Sequence, residues 1–524
     1  MEKSWSLEQA VGQKLLLAFE GKQRPSGGIL QAMRQSMPTG VTLFRALNVD
    51  SPAQVRGLTG TLQAAAGAAG LPRLLIAVDQ EGGQLMAIGG GTPFPGNMAL
   101  GATGSRELAH RTGLALGFEL AAMGINVNYA PVCDVNVNPT NPGVGTRSFG
   151  EDPKVVAKMS AAMVEGLHAA GVAATAKHFP GLGDAATDPH YGTPILVHDR
   201  DRLQRVELPP FEAAIRAGAR LVMTAHVALP ALNNGLDIPA TLSESILKEL
   251  LRGELGFEGL IVSDAMDMKA IRQGPGLAID AIAAVKAGVD LLLLIGDAEE
   301  QQMIFEAILQ AIRRGLLSTE EVFASAQKVL ELKKWVAVQS QPDLEVVNCQ
   351  EHRALADEIA ARAVTLVRDS AGLLPLRLAA DAKVSVVIPE PRDLTPADTS
   401  SYEVPCLAEA MRKYHSGVDE FMVPINPVDA DVSALREKAS GYDLIVVGTI
   451  NADMHPGQAA LVNALLGAET PVVVAALRTP YDLMAFPSAP TYICTYSILE
   501  PSVRALAAAL WGEIPFQGHL PVTL

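Results

Sequence analysis

The sequence reads as a mixed α/β chain: a (β/α)8 barrel followed by a smaller open α/β domain of the αβα-sandwich type. Three observations predict this. The 524 residues exceed what one ordinary core takes up, so the chain should divide. Through the first two-thirds, short β-branched or apolar runs alternate with helix-length segments, the pattern of βα units around a parallel sheet. Then comes an irregular stretch, "QSQPDLEVVN" (339–348), after which a new pattern starts with "HRALADEIAARAVTLVRD". We therefore expect a barrel over residues 1–338, a linker over 339–350 and a second domain over 351–524.

The barrel strands follow in order as "LLLAF" (15–19), "GVTLF" (40–44), "LLIAVD" (74–79), "VNYAPVCD" (127–134), "VAATAKH" (172–178), "LVMTAH" (221–226), "LIVSDA" (260–265) and "DLLLL" (290–294). Eight runs in about 300 residues match the usual size of such a barrel. Several of them end in polar residues: Asp79, Asp134, Lys177 with His178, His226 and Asp264. Any one alone could simply cap the next helix. Five together point to the C-terminal mouth of a barrel, where its active site lies. In the second domain, "KVSVVIPE", "YDLIVVGTI", "PVVVAAL" and "PTYICTY" read as buried parallel strands separated by helical segments such as "GQAALVNALLG". Neither GxGxxG nor GxxxxGK[ST] follows them, so no nucleotide loop is expected.

Composition narrows the function. Hydrophobic residues at 49% and charged residues at 19% describe a folded chain, not a disordered one. The formal net charge of -16, with no Lys/Arg cluster beside an aromatic-rich segment, argues against nucleic acid or an anionic membrane as partner and for a small neutral substrate. Cys133, Cys349, Cys406 and Cys494 are scattered without CxxC spacing, which suggests reduced thiols and neither a zinc site nor a disulfide framework. The N-terminal "MEKSWSLEQAVGQ" lacks the basic start and apolar run of a signal peptide, and no run is long enough to span a bilayer, so a cytoplasmic location is expected. No cofactor is implied. A metal-dependent hydrolase using His178, His190 and His226 ranks low, because no HxH pair stands at a strand end.

Two stretches carry chemistry. "KHFPGLGDAATDPH" (177–190) follows a candidate strand, so Lys177 and His178 should emerge at the barrel mouth, and Asp188, two residues before His190, could hold its imidazole in one tautomer. D-x-H also arises by chance, and a solvated turn is the plain alternative. "GLIVSDAMDMKAI" (259–271) delivers Asp264 at the end of a buried strand, as a carboxylate that attacks a sugar must be held; Asp267 is a second, less firmly placed candidate.

These motifs resemble the β-N-acetylglucosaminidases of glycoside hydrolase family 3, the NagZ-like branch. "DQEGGQ" (79–84), "FPGNMALGAT" (94–103), "NYAPVCDVN" (128–136), "GTRSFGEDP" (145–153), "KHFPGLGDAATDPH", "VMTAHV" (222–227) and "IVSDAM" (261–266) stand in that branch's order, and "ARAVTLVRDSAGLLPL" with the terminal "GHLPV" is similar to the family's second domain. The resemblance implies a retaining exo-β-N-acetylglucosaminidase acting on carbohydrate, with cell-wall fragments as the expected substrates, in peptidoglycan recycling. Asp264 would be the nucleophile, and His190, paired with Asp188, the general acid/base on a mobile loop. Asp79, Arg147, Lys177 and His178 would bind the terminal sugar, joined by Met223 and His226, with His226 and Asp134 supporting from behind. The plain alternative for Arg147 is an ion pair with Glu151 or Asp152. Three positions depart from the family pattern: Gln84 where arginine is common, Leu182 where histidine is common, and Pro189 inside the dyad, where a small hydroxyl residue is common. A β-N-acetylglucosaminide phosphorylase, a family 3 β-glucosidase and a non-catalytic sugar-binding protein are the competing readings. If the second domain lends a residue, "NADMHPGQ" (451–458) is the expected loop.

Overall fold

The computed structural model describes residues 5–272 and 276–524. All eight apolar runs of the first part form strands: β1 (Leu15–Leu17), β2 (Gly40–Thr42), β3 (Leu75–Val78), β6 (Val127–Asn128), β7 (Ala173–Phe179), β8 (Leu221–Thr224), β9 (Leu260–Ser263) and β10 (Leu292–Leu294). A small hairpin of β4 (Gln80–Gly82) and β5 (Leu85–Met86) directly follows β3. The eight pair in parallel in the order β10-β1-β2-β3-β6-β7-β8-β9. A bridge between Val262 and Leu291 joins β9 to the residue before β10 and completes the ring. All but β7 are shorter than the runs that predicted them. After Asn128 the chain reaches Pro131, which has no N–H to give a ladder, so β6 stops at two residues.

Every barrel strand is buried along its length, which is why these stretches read as unbroken apolar runs rather than alternating ones. The lumen is filled by side chains including Leu16, Leu75, Val127, Tyr129, Val262 and Leu293. Val329, Leu332 and Val336 of the helix Thr319–Ala337 pack on the same cluster. That helix sits at the N-terminal end, where Lys14, the residue before β1, donates from Nζ to the Ser325 hydroxyl at 2.8 Å. The helix thus plugs the lumen at that end.

The second sheet has six strands, β11 (Thr365–Asp369), β12 (Val384–Pro389), β13 (Val418–Val423), β14 (Leu444–Thr449), β15 (Val472–Ala476) and β16 (Thr491–Cys494), in the order β11-β16-β15-β14-β12-β13. The four expected strands form its centre, and the two that sequence reasoning did not single out are its edges. All neighbours are parallel except β11, which runs antiparallel to β16. Without β11 the order is that of flavodoxin-like sheets, whose crevice opens beyond the carboxyl ends of the first and third strands. Here those are β12 and β14.

Between the helices Thr319–Ala337 and Gln350–Ala363 the chain is held down rather than slack. Pro342 accepts from Arg56 Nη1 at 3.0 Å, and the Asn348 N–H donates to Glu119 Oε1 at 2.9 Å. Glu119, itself buried, also meets His352 Nδ1 at 2.8 Å. One apolar cluster takes in residues of both sheets, from Ala10 to Val522. The second sheet is thus packed firmly enough against the barrel to contribute a wall to its mouth.

Candidate active site

At the mouth, the end of β3, the β4–β5 hairpin, β7 and a 3-10 turn at Gly145–Arg147 bring four charged side chains together. Lys177 Nζ lies 2.5 Å from Asp79 Oδ1 and 2.6 Å from Glu81 Oε1. Arg147 grips the same Glu81 with both arms, Nε to Oε2 at 3.0 Å and Nη2 to Oε1 at 2.8 Å, and its Nη1 donates to the Gly143 carbonyl at 2.9 Å. The Lys177 and Glu81 side chains are each 1% exposed, so such charges persist only because they are paired. Burial pushes the Glu81 carboxyl up, yet Arg147 and Lys177 outweigh it and hold it at about 2. Arg147 therefore pairs with neither Glu151 nor Asp152, the partners sequence reasoning offered, but with a glutamate it overlooked. Glu81 turns inward because the hairpin is very tight. Gly82 and Gly83 have φ of 84° and 61°, and a Cβ on Gly83 would lie 2.8 Å from the Pro95 carbonyl oxygen.

Behind this floor stand two histidines. His178 Nδ1 is 2.7 Å from Asp134 Oδ2, while Asp134 Oδ1 accepts the Leu182 N–H at 2.7 Å. Asp134 thus fixes both a ring at the cleft and the start of the loop that follows, the supporting place expected for it. Leu182 serves that loop through its backbone, which needs no histidine. His226 departs from its reading as a sugar contact. It is fully buried and stands outside the cleft, with Nδ1 2.7 Å from the Thr241 hydroxyl and Nε2 3.0 Å from the Ala265 carbonyl. Burial holds the ring below its usual pKa, and because a carbonyl can only accept, Nε2 donates to Ala265 and braces the backbone next to Asp264.

Asp264, half-buried at the end of β9, accepts the Ala265 N–H at 2.8 Å. Burial alone would raise its carboxyl, but the fields of His178, His226 and His190, with that N–H, leave it below the usual carboxylate value. Three residues on, Asp267 goes the other way: burial, reinforced by the charge of Asp264, holds it above the usual value, and its Oδ1 is buried without a hydrogen-bond partner. Of the two candidates, Asp264 is the one whose surroundings favour the carboxylate form.

Facing it is the irregular chain between β7 and the helix Arg200–Arg205. Asp188 Oδ1 accepts the His190 N–H at 2.8 Å and lies 2.7 Å from His190 Nδ1. The pair forms despite Pro189, whose carbonyl accepts the Ala270 N–H at 3.1 Å and fastens this loop to the one after β9. Burial would lower the imidazole's pKa, but Asp188 and the more distant Asp264 raise it above the usual histidine value. With Nδ1 engaged, Nε2 is the nitrogen left to meet a ligand.

Asp79, Arg147, Lys177, His178, Asp188, His190, Met223 and Asp264 all line a single cleft of about 570 Å³. Its far wall comes from the second domain, through the loop that follows β12: Asp393, Ala397, Thr399 and Tyr402 face the same space. The loop 451–458, singled out from sequence, is not part of the cleft. Its Asp453 meets Asp482 within the second domain, and burial raises both carboxyls. Gln84, another departure from the family pattern, works at the domain junction: its Oε1 accepts from the Thr146 hydroxyl at 3.1 Å, and its carbonyl accepts from the Thr399 N–H and hydroxyl at 3.0 Å each.

The arrangement offers convergent donors and acceptors for hydroxyl groups, one ionised carboxylate and one imidazole with a raised pKa, the equipment of acid/base chemistry on a neutral polar ligand. Among the described residues no group of three or more His, Cys, Asp and Glu side chains is placed to hold a metal ion, and no helix is long and apolar enough to cross a membrane.

Comparison with known proteins agrees with this geometry. The family model for the glycosyl hydrolase family 3 N terminal domain matches residues 7–332. The solved structure of a glycoside hydrolase family 3 beta-N-acetylglucosaminidase from Paenibacillus sp. str. FPU-7 superposes with a TM-score of 0.94 at 37% identity, covering 99% of both chains. Beta-hexosaminidase A of Pseudoalteromonas piscicida is 33% identical across 98% of this chain and 96% of its own length. A beta-N-acetylglucosaminidase/beta-glucosidase of Cellulomonas fimi is 30% identical across 86% of this chain and 83% of its own. A barrel mouth holding these side chains, backed by a second α/β domain and matched over its full length by such relatives, is that of a glycoside hydrolase, and the chain belongs to glycoside hydrolase family 3.

Proposed function

We propose that this enzyme is a retaining, exo-acting β-N-acetylglucosaminidase that releases terminal N-acetylglucosamine from β-glycosides by double displacement. The observation that carries the reading is one cleft containing an ionised Asp264 and, on a separate loop, an Asp188-supported His190. Asp79, Lys177 and Arg147 hold the sugar's hydroxyl and acetamido groups. Asp264 then attacks C1, the C1–O bond to the leaving group breaks, and His190 Nε2 gives its proton to the departing oxygen. His190, now neutral, takes a proton from the incoming water as that water attacks C1 and frees Asp264. Asp188 keeps Nδ1 protonated throughout, so the same nitrogen gives and receives the proton.

Cell-wall fragments ending in N-acetylglucosamine are the substrates we infer, in peptidoglycan recycling. The four cysteines are unpaired, which supports the reducing cytoplasm as the place of action. A second reading is a phosphorylase, favoured by a histidine where a carboxylate acid would repel phosphate. A β-glucosidase activity beside the main one is the third, suggested by the double name of the Cellulomonas fimi relative. The test is product analysis by NMR on an N-acetylglucosamine β-1,4 disaccharide, with and without phosphate, and on the matching glucose disaccharide. The proposal expects free N-acetylglucosamine, first formed as the β-anomer, whether or not phosphate is present. A sugar 1-phosphate would favour the phosphorylase, the α-anomer would refute double displacement, and faster cleavage of the glucose compound would overturn the acetamido preference.

A further inference from the structure

We infer that His198 and Asp184 are positioning residues for the proton donor: with Arg202 and Glu207 they form a clasp across the base of the loop that carries His190, and the clasp fixes how far the donor reaches into the cleft. The inference rests on the reading of His190 as the acid/base.

Asp188 gives the His190 ring its orientation, but the height of the ring over Asp264 depends on the ends of the loop, and these are strapped to different neighbours. At the start, the Leu182 N–H donates to Asp134, and a Cβ on Gly183 would lie 1.8 Å from the Val135 carbonyl oxygen. Asn138 Nδ2 donates to the carbonyls of Asp184 and Ala185 at 3.4 Å each. At the far end, the Leu196 N–H donates to the Ala228 carbonyl at 2.9 Å, and the Ala228 N–H to the Pro194 carbonyl at 2.8 Å. The start is thus tied to the chain after β6 and the end to the chain after β8. Neither strap sets the distance between the two ends.

Side chains set it. His198 Nε2, at the far end, lies 3.0 Å from Asp184 Oδ2, at the start, and 4.0 Å from Glu207 Oε1. Arg202, on the helix Arg200–Arg205, donates to the same Glu207 oxygen from Nε at 3.2 Å and Nη2 at 3.1 Å, and its Nη2 is 3.7 Å from Asp184 Oδ2. Two carboxylates therefore share one guanidinium and one imidazole. The Glu207 side chain is 3% exposed and that of His198 13%, so water competes weakly for these contacts. Burial raises the Glu207 carboxyl, and Arg202 and His198 pull against it. Gly181, with φ of 125°, runs so close that a Cβ there would lie 2.8 Å from Glu207 Cβ, which seats the loop's first turn on the clasp. None of the four side chains lines the cleft, so what the cluster joins is chain to chain, not protein to sugar. A reacting group misplaced by about 1 Å can lose on the order of 10²-fold in rate, so loosening the clasp should be felt at the donor and not at the nucleophile.

The experiment measures kcat and KM for the disaccharide and, separately, the burst of phenol from an aryl N-acetylglucosaminide whose phenol is acidic and leaves without a proton. His198→Ala should lower kcat on the disaccharide about tenfold with KM little changed, and leave the burst rate as it was. Asp184→Asn should do the same, and the double variant should be no worse than either single one, because both remove one interaction. His198→Lys, which returns a cation to the clasp, should recover most of the loss. A merely structural role would lower both substrates alike. Equal losses on the two substrates, additive losses in the double variant, or a lysine variant as slow as the alanine one would overturn the inference. His190→Ala run beside them separates the two failures. Equal losses there defeat the reading of His190 and the clasp with it, whereas a loss confined to the disaccharide in His190→Ala but absent from His198→Ala defeats the clasp alone.

Discussion

Asp264 ends a strand whose four residues are all buried, while His190 stands in irregular chain where Tyr191 is 61% and Val197 87% exposed. The two halves of the proposed chemistry thus rest on very different supports. On the strand side, the charges proposed to meet the sugar are locked in a network of Asp79, Lys177, Glu81 and Arg147, and the neighbours of Asp264 favour its carboxylate form. On the loop side, one aspartate two residues away does the holding. The difference follows from the tasks. A nucleophile and binding groups work by being arranged before the substrate arrives, so that no reorganisation is left to the reaction. A proton donor needs only the right tautomer and reach, and must leave room for the departing group and then for water. The contrast also explains why the loop accommodates Pro189. A dyad made by neighbours in sequence survives local change, whereas the floor, drawn from four elements, would not.

The strongest way to break the floor is to disable its carboxylate. Asp264→Asn should lower turnover about a thousandfold or more with the fold intact, measured by steady-state kinetics beside a thermal melt. The same loss on Asp267→Asn with Asp264→Asn active would reverse the assignment. His190→Ala tests the other half, and here the size must depend on the substrate. We expect a loss of about 10²–10⁴-fold on a disaccharide, whose alkoxide leaves poorly, but a much smaller effect on the burst of phenol from an acidic aryl glycoside. Equal losses in both would mean that His190 only binds. Glu81→Gln should cost about 3 kcal/mol of stability, because two buried cations would face one fewer carboxylate, and urea denaturation measures it. If the floor's order is what matters, its KM should rise as well.

The smallest effect concerns pH. Asp264 lies below the usual carboxylate value and His190 above the usual histidine value. Activity on the disaccharide should therefore fall toward acid only as Asp264 gains a proton, and toward alkali as His190 loses its own, at a pH above the ordinary imidazole value near 6.5. Asp188→Asn removes the interaction that raises His190, so the alkaline limb should move to lower pH while the acid limb stays. An unmoved alkaline limb would detach that limb from the dyad.

Much of this was legible in the sequence, for identifiable reasons. The barrel strands are buried on both faces, so they appear as unbroken apolar runs, and the polar residues that end them mark the mouth. The edge strand β13 hid because Asp419 and Glu420 are exposed, which makes "VDEFMV" read as surface chain. β11 hid because it continues directly from a helix and pairs antiparallel at the sheet's margin. Glu81 was visible as a letter within "DQEGGQ", but nothing in the spacing says that a hairpin folds it beneath Arg147. The second domain's wall was misplaced for a similar reason. The loop 451–458 looks chemically richer, with an aspartate and a histidine, yet Asp453 turns to Asp482, and the plainer stretch 393–402 reaches the barrel because β12 stands at the sheet's switch point.

The claim that holds the account together is that the rigid strand end, not the residue three positions beyond it, forms the covalent bond to the sugar. Incubation with a 5-fluoro N-acetylglucosaminyl fluoride, followed by proteolysis and mass spectrometry of the peptide spanning residues 259–271, measures this directly. The account predicts one sugar per chain, attached at Asp264. Attachment at Asp267, or a wild-type enzyme that turns substrate over yet forms no adduct under any condition of trapping, would contradict it.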